Sequence, residues 1–543
     1  MLTSPAIGDS RLSFWLRVRE FAVPPSMIET ATARRLAGDW AGACAAAGFD
    51  VDIPLRSVAR SHHPELAARI RADLRCLAPD LLRWHMPRIA PDGLLRPGLT
   101  LTLARYDASG LDGVSPVHLV ARTPPAWADA GQRISLTLWD GSGADYGADA
   151  GRHPHPRPSR RFRFDLHRHL WDAGRAAELR GRSGADGPAA GRHPAVPTGA
   201  VPDGYSCAVG RWAAEARILL RAEGLPAGPV LVRCGGRHRL VLDVRDDAAA
   251  SGAGSGWGVV PESAGTTPAP PGPAEVSGST PPLPGLSVAA SSASVPPVLP
   301  EVGDSTAGLP LLPEVGDSTA GLPAVPEVGD STAGLPLLPE VASSASALPV
   351  LPDAATWVPP DLELVRAGAI DVDRLHPLVA SALVPGHVPA GPSALADPAG
   401  QPRPVECRGA RHRIGLVDGV LAPLDHAPDE IRREELLVAL GGTPLPCLQA
   451  IDEAHRHPDC LTGVRERLVH GDIAGALAVV EGLLGPGALL RDGALRDALE
   501  AAARQRITYG LYRADLIGPG RFRPEDVRRP RVGRSRPRHG THR

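Results

Sequence analysis

The tract from about Asp246 to Trp357 constrains the fold more than any other part of this 543-residue chain. It is dominated by Pro, Ala, Ser and Gly. It also carries a repeat, marked by Glu301, Glu314, Glu327 and Glu340, with the approximate unit P-E-V-G-D-S-T-A-G-L-P-L-L. Such a unit has too little apolar surface to stack, and solenoid periods run to roughly 20–50 residues. The tract therefore reads as a flexible spacer, and the folded chain must lie on either side of it. Deleting residues 251–355 is expected to leave thermal stability nearly unchanged.

One short motif stands on each side of the spacer. The first copy is Val232-Arg233-Cys234-Gly235-Gly236-Arg237-His238-Arg239-Leu240, and the second is Val405-Glu406-Cys407-Arg408-Gly409-Ala410-Arg411-His412-Arg413-Ile414. Each is an apolar approach, a Gly-containing turn and a second apolar run, which is a hairpin signal. The two copies are the most specific internal feature and suggest two related halves.

Taken in order, residues 11–18 fit either a strand or a short helix. Ser26 and Glu29 have capping-box spacing and start a helix over 26–36. Gly38 stops it, and Asp39 caps a second helix over 40–47. Further helical patterns cover 64–77 and 79–84. Residues 99–103 and 134–138 alternate strictly between apolar and polar, with 117–120 between them, and predict a small antiparallel meander. Helices are expected over 164–179, 212–220, 362–367 and 374–383. After the second hairpin, where Val420-Leu421 can add a strand, the pattern is all helix: 430–440, 446–455, 461–469, 473–484 and 495–504.

This gives an α+β, multidomain chain, with helical hairpins at both ends, small antiparallel β elements and long disordered inserts. The expected divisions are residues 1–140 (helical hairpins plus meander), 141–204 (linker with one helix), 205–246 (helix plus first hairpin) and 247–357 (spacer). They continue with 358–426 (helices plus second hairpin), 427–518 (helical domain) and 519–543 (basic tail).

A second echo lies in Gly38-Asp39-Trp40-Ala41-Gly42-Ala43 and Gly471-Asp472-Ile473-Ala474-Gly475-Ala476. In each, Gly ends one helix, Asp caps the next, and small residues let the helices approach. These turns resemble those of tetratricopeptide-type helical hairpins, and the resemblance implies a helical hairpin that binds a partner. Through the stretches 407–414, 424–426 and 509–513, the chain as a whole resembles uncharacterised proteins of high-GC bacteria, which implies no activity.

The chain contains no Lys and no Asn. That excludes a P-loop, whose Lys reaches the phosphates, and a protein-kinase site. It also excludes a Schiff-base lysine and a Cys-His-Asn triad. Asp452-Glu453-Ala454-His455 spells a helicase DEAH box, but in a helical segment of a Lys-free chain it is a chance match. Formal net charge is −2, so Arg richness alone does not point to nucleic acid.

The seven Cys are odd in number and form no C-x-x-C, so neither a disulfide framework nor a zinc ribbon is expected. Cys234 and Cys407 read as small buried residues. No apolar leader opens residues 1–19, no transmembrane run is present, and a cytoplasmic location follows.

The candidate partner-binding residues are Arg237, His238, Arg239, Arg411, His412 and Arg413, placed on the wet face of the two hairpins. The candidate metal ligands are His455, His457 and Cys460, with a second His patch at His153, His155, His167 and His169. No catalytic residue and no cofactor is expected. The leading function is a non-catalytic protein-interaction or adaptor role with an unknown protein partner and no membrane. The alternatives are a nucleic-acid-binding accessory factor and a metal-dependent hydrolase using a His cluster.

Overall fold

The computed structural model describes residues 4–61, 64–107, 116–141, 153–186, 206–235, 238–245, 256–259, 348–387 and 402–518. Most of the expected spacer, the basic tail and Arg237 lie outside them.

The N-terminal unit opens with α1 (Ser4–Arg17), α2 (Pro25–Leu36) and α3 (Trp40–Ala46). Strand β1 (Phe49–Val51) follows, then α4 (Leu55–Ser61), α5 (Pro64–Cys76) and α6 (Pro79–His85). A small β2–β3 ribbon (Arg88–Ile89, Leu94–Leu95) leads to β4 (Thr100–Tyr106), β5 (Val117–Arg122) and β6 (Ile134–Trp139). The sheet order is β1-β6-β5-β4, with β1 parallel to β6 and the other pairs antiparallel. The strict alternation of β4 and β6 does not leave a wet face: both faces are buried, and residues 159–165 bond along the edge of β4.

Residues 164–179 are not the expected helix. Short 3-10 turns precede a single helical turn, α7 (Leu179–Ser183). The backbone is spent on tertiary bonds instead: Asp165 N–H to Thr102 O at 2.9 Å, Ala78 N–H to Trp171 O at 2.7 Å, and Ala173 N–H to Cys76 O at 2.8 Å.

The second unit packs α8 (Trp212–Ala222) on β7 (Gly228–Arg233), β8 (Arg239–Val244) and β9 (Gly256–Val259). Val350 bridges β7 at Leu231, and Leu351 and Ala355 join this core; α9 (Asp353–Thr356) follows. Residues 256–259 and 348–357, within the expected spacer, thus form ordered structure. Here Leu351, Ala355 and Val358 are buried, and Trp357 packs beside them.

Helices α10 (Pro360–Arg366) and α11 (Pro377–Leu383) pack into the N-terminal core rather than beside the second hairpin. His376 fixes them. Its Nδ1 accepts from Leu378 N–H at 3.2 Å, so its Nε2–H donates to Asp80 at 2.8 Å, in a fully buried pair.

The third unit holds β10 (Arg403–Cys407), β11 (Ala410–Val417) and β12 (Val420–Pro423), an antiparallel meander. Helices α12 (Pro428–Ala439), α13 (Pro446–Arg456), α14 (Leu461–His470), α15 (Ile473–Leu484) and α16 (Ala494–Arg513) follow. The two Gly-Asp turns form as expected. Gly38 and Gly471 adopt φ of +77° and +87°, and Asp39 and Asp472 accept from Gly42 N–H and Gly475 N–H at 2.8 and 2.9 Å.

The third unit docks on the first around Arg83. This buried guanidinium donates to Ala22 O (2.9 Å), Gln132 O (2.6 Å), His470 O (2.8 Å) and Ala47 O (3.4 Å). Ala22 ends a π-helical turn, Val18–Ala22, that extends α1, and Ala47 and His470 lie at the ends of α3 and α14, so one cation meets three orphaned, negative helix ends. Tyr509 on α16 adds a 2.6 Å bond to Asp50, and Arg513 pairs with Asp52.

Candidate metal centre

The β10–β11 hairpin turns through Arg408 and Gly409, both at positive φ (+52° and +80°), a two-residue turn of the kind that matches strand twist. Cys407 then faces Ala410, and Val405 faces His412. Because alternate residues share a face, Cys407, His412 and Ile414 point to one side while Arg411 and Arg413 point away. His412 is therefore not on the wet face with its arginine neighbours.

Past β12, Leu424 N–H bonds Arg413 O, and the Asp425 carboxylate takes both the backbone N–H and the guanidinium of Arg413 at 2.7–3.1 Å. That clamp delivers the next residue, His426, to the same face. Its Nε2 lies 2.7 Å from His412 Nδ1. The fourth residue arrives from α13: Pro446 opens the helix, and Cys447 follows it, fully buried like Cys407.

The donor atoms of Cys407, His412, His426 and Cys447 all lie within 4.8 Å of one another. Among the described residues this is the one such group of three or more. A tetrahedral zinc ion, with Zn–S of about 2.3 Å and Zn–N of about 2.0–2.1 Å, requires donors roughly 3.3–3.8 Å apart. The cluster has that scale, with the two imidazoles opening by about 0.6 Å to admit the ion.

His426 is already oriented for it. Its Nδ1 contacts Glu430 Oε2 at 3.2 Å, which turns Nε2 inward in the carboxylate–histidine arrangement of metal sites. Burial, with the hydrogen bond that the Cys447 thiol donates to Cys407 adding to it, pushes that thiol up to about 11. A coordinated divalent ion reverses that balance and binds the thiolate.

The unit also has a reason to need the ion. Of its sheet only Cys407, Ile414, Gly415 and Leu421 are buried, whereas the sheet of the second unit buries Val230, Leu231, Val232, Leu240, Leu242 and Val244. A sheet with so few buried side chains is held by little apolar packing of its own, and a structural metal adds to that.

The metal ligands expected from sequence are not brought together. His455 is buried on α13, His457 is exposed at the helix end, and Cys460 is half-buried beside an open cleft. The physical reason is phase: on α13, His455 and Cys447 are eight residues apart and share the inner face, while His457 lies beyond the helix. The second His patch splits into two pairs, His153 with His155 and His167 with His169. His153 bonds Thr123 O at 2.9 Å, while His167 sits 3.3 Å from Glu215.

Of the expected partner-binding residues, His238, Arg239 and Arg411 are exposed, Arg413 is paired to Asp425, and His412 is a cluster member. Comparison of the chain with protein-family models, curated proteins and solved structures finds no match.

Proposed function

We propose that this is a non-catalytic protein-interaction protein whose third unit is fastened by one structural zinc ion held by Cys407, His412, His426 and Cys447. The observation that carries the reading is the donor set: two buried thiols and two imidazoles, four protein ligands for a tetrahedral ion. Thiolate and imidazole in a 2:2 set suit zinc. A catalytic zinc keeps one position open behind three protein ligands, so a filled set favours a structural role over the metal-dependent hydrolase.

A cytoplasmic setting fits this reading, because there the thiols stay reduced. Among the described residues no helix is long and apolar enough to cross a membrane. The nucleic-acid alternative is less favoured, since Arg408 and Arg413 are paired to Glu434 and Asp425. The paired helices at the Gly-Asp turns supply surfaces for a protein partner.

The test is metal analysis of the full-length protein. One equivalent of zinc is expected, with the absorption bands of tetrahedral Co²⁺ on substitution, and Cys407→Ser or Cys447→Ser should lose both. Metal-free native protein that takes up no Co²⁺ would sink the reading. A co-purifying protein that survives nuclease supports the interaction role, and one released by nuclease supports the nucleic-acid factor.

A further inference from the structure

Helix α12 occupies the chain between two of the four ligands, His426 and Cys447. Its attachments run through the cluster. Glu430, in its first turn, contacts His426, and Glu434 pairs at 2.7 Å with Arg408, the neighbour of Cys407. Ile431 is its half-buried apolar contact with the core. Farther along, Leu436, Leu437 and Leu440 are 60, 52 and 85% exposed. A twelve-residue helix with so little packing is too short to persist alone in water.

The rest of the unit is anchored elsewhere. Helices α14 and α16 reach the N-terminal unit through His470 O, Glu466, Tyr509 and Arg513. The β11–β12 turn is seated on the end of α15, where Gly487 N–H bonds Gly419 O at 3.1 Å.

Resting on the zinc reading above, we propose that metal occupancy sets the fold of residues 427–445: with the ion bound, α12 is helical and seated on the sheet, and without it this segment is released while α14–α16 stay docked. The ion closes the chain between His426 and Cys447 and fixes both ends of the excursion at once. Glu430 is the positioning residue that couples them, since it holds the His426 ring and begins α12. The device makes the interaction protein responsive to available zinc without unfolding it.

The experiment is hydrogen exchange by mass spectrometry on the full chain, in three forms: zinc-loaded, stripped with EDTA, and reloaded with one equivalent of zinc chloride. Exchange in 428–440 should rise by at least about tenfold on stripping and return on reloading, while peptides from 461–513 change little. Stoichiometric zinc with unchanged exchange in 428–440 overturns the proposal and leaves the structural-zinc reading standing. Equal loss of protection in 461–513 also overturns it. A protein that binds no zinc removes both.

Glu430→Gln provides the second arm. Chelator competition should show zinc affinity reduced by roughly 10- to 100-fold, with far-ultraviolet circular dichroism of the loaded protein unchanged. Unchanged affinity refutes the positioning role.

Discussion

The two Gly-Asp turns provide a controlled test of how the C-terminal helices dock. Both glycines hold a left-handed backbone, so an alanine at either position pays the same conformational penalty, about 1–2 kcal/mol. Their surroundings differ. A Cβ at Gly38 meets nothing within 4 Å, but at Gly471 it falls 2.0 Å from the carbonyl oxygen of Gly131. Packed carbon and oxygen do not approach so closely, so the two loops must part by at least about 1 Å. The adjacent Arg83–His470 O bond, 2.8 Å long, then stretches past hydrogen-bonding range. Losing a charge-assisted bond to a buried carbonyl costs about 1.5–3 kcal/mol. Gly38→Ala should therefore destabilise by about 1–2 kcal/mol and Gly471→Ala by about 3–5 kcal/mol. Thermal denaturation of the two variants and the parent measures the difference. The docking argument fails if the two substitutions cost the same.

Two further outcomes are expected. Glu215 is buried, which raises its pKa, but its bonds with His167 and Arg182 outweigh burial and hold it down to about 2. A carboxylate depressed in the folded state stabilises above its unfolded pKa of about 4.5, so roughly 3 kcal/mol should be lost as pH falls from there toward 2; acid titration of Glu215→Gln should lack that component, and an identical acid transition would refute it. Excising residues 251–355 should lower the melting temperature clearly, because it removes β9 and the buried Leu351 and Ala355, whereas excising 271–335 should leave it nearly unchanged; equal effects would refute the placement of those ends.

The parts of this architecture legible in sequence are those decided by local chemistry. Asp39 and Asp472 cap helices because a short carboxylate reaches the free N–H groups of the first turn, and that needs no distant partner. The meander strands follow from period-two alternation. Residues 164–179 went the other way because their backbone is claimed by Thr102, Cys76 and Ala78, partners about sixty to a hundred residues distant that no local pattern reveals. The last helix runs nine residues past its expected end for a similar reason: Tyr509 and Tyr512 pack against Ala128 and Ala130.

The metal cluster was partly readable. A two-residue turn at Arg408-Gly409 puts Cys407 and His412 in phase with Ile414, and strand parity alone separates His412 from Arg411 and Arg413. Treating Arg-His-Arg as one basic unit obscured that. His426 and Cys447 arrive through a loop clamp and a helix start, and only the fold brings them within reach.

The guanidinium of Arg83 sets a timetable for synthesis. Its bond to His470 spans 387 positions. At elongation rates of about 5–20 residues per second, the N-terminal unit waits roughly 20–80 s on the ribosome for that partner. Throughout that interval the guanidinium lacks one of its carbonyls, and the surface that later receives Gly471 lies open to solvent. The N-terminal unit is thus incomplete around Arg83 until residue 470 has been translated. A ribosome stalled before codon 470 would display an N-terminal unit with that docking surface uncovered, which is the state most exposed to premature association.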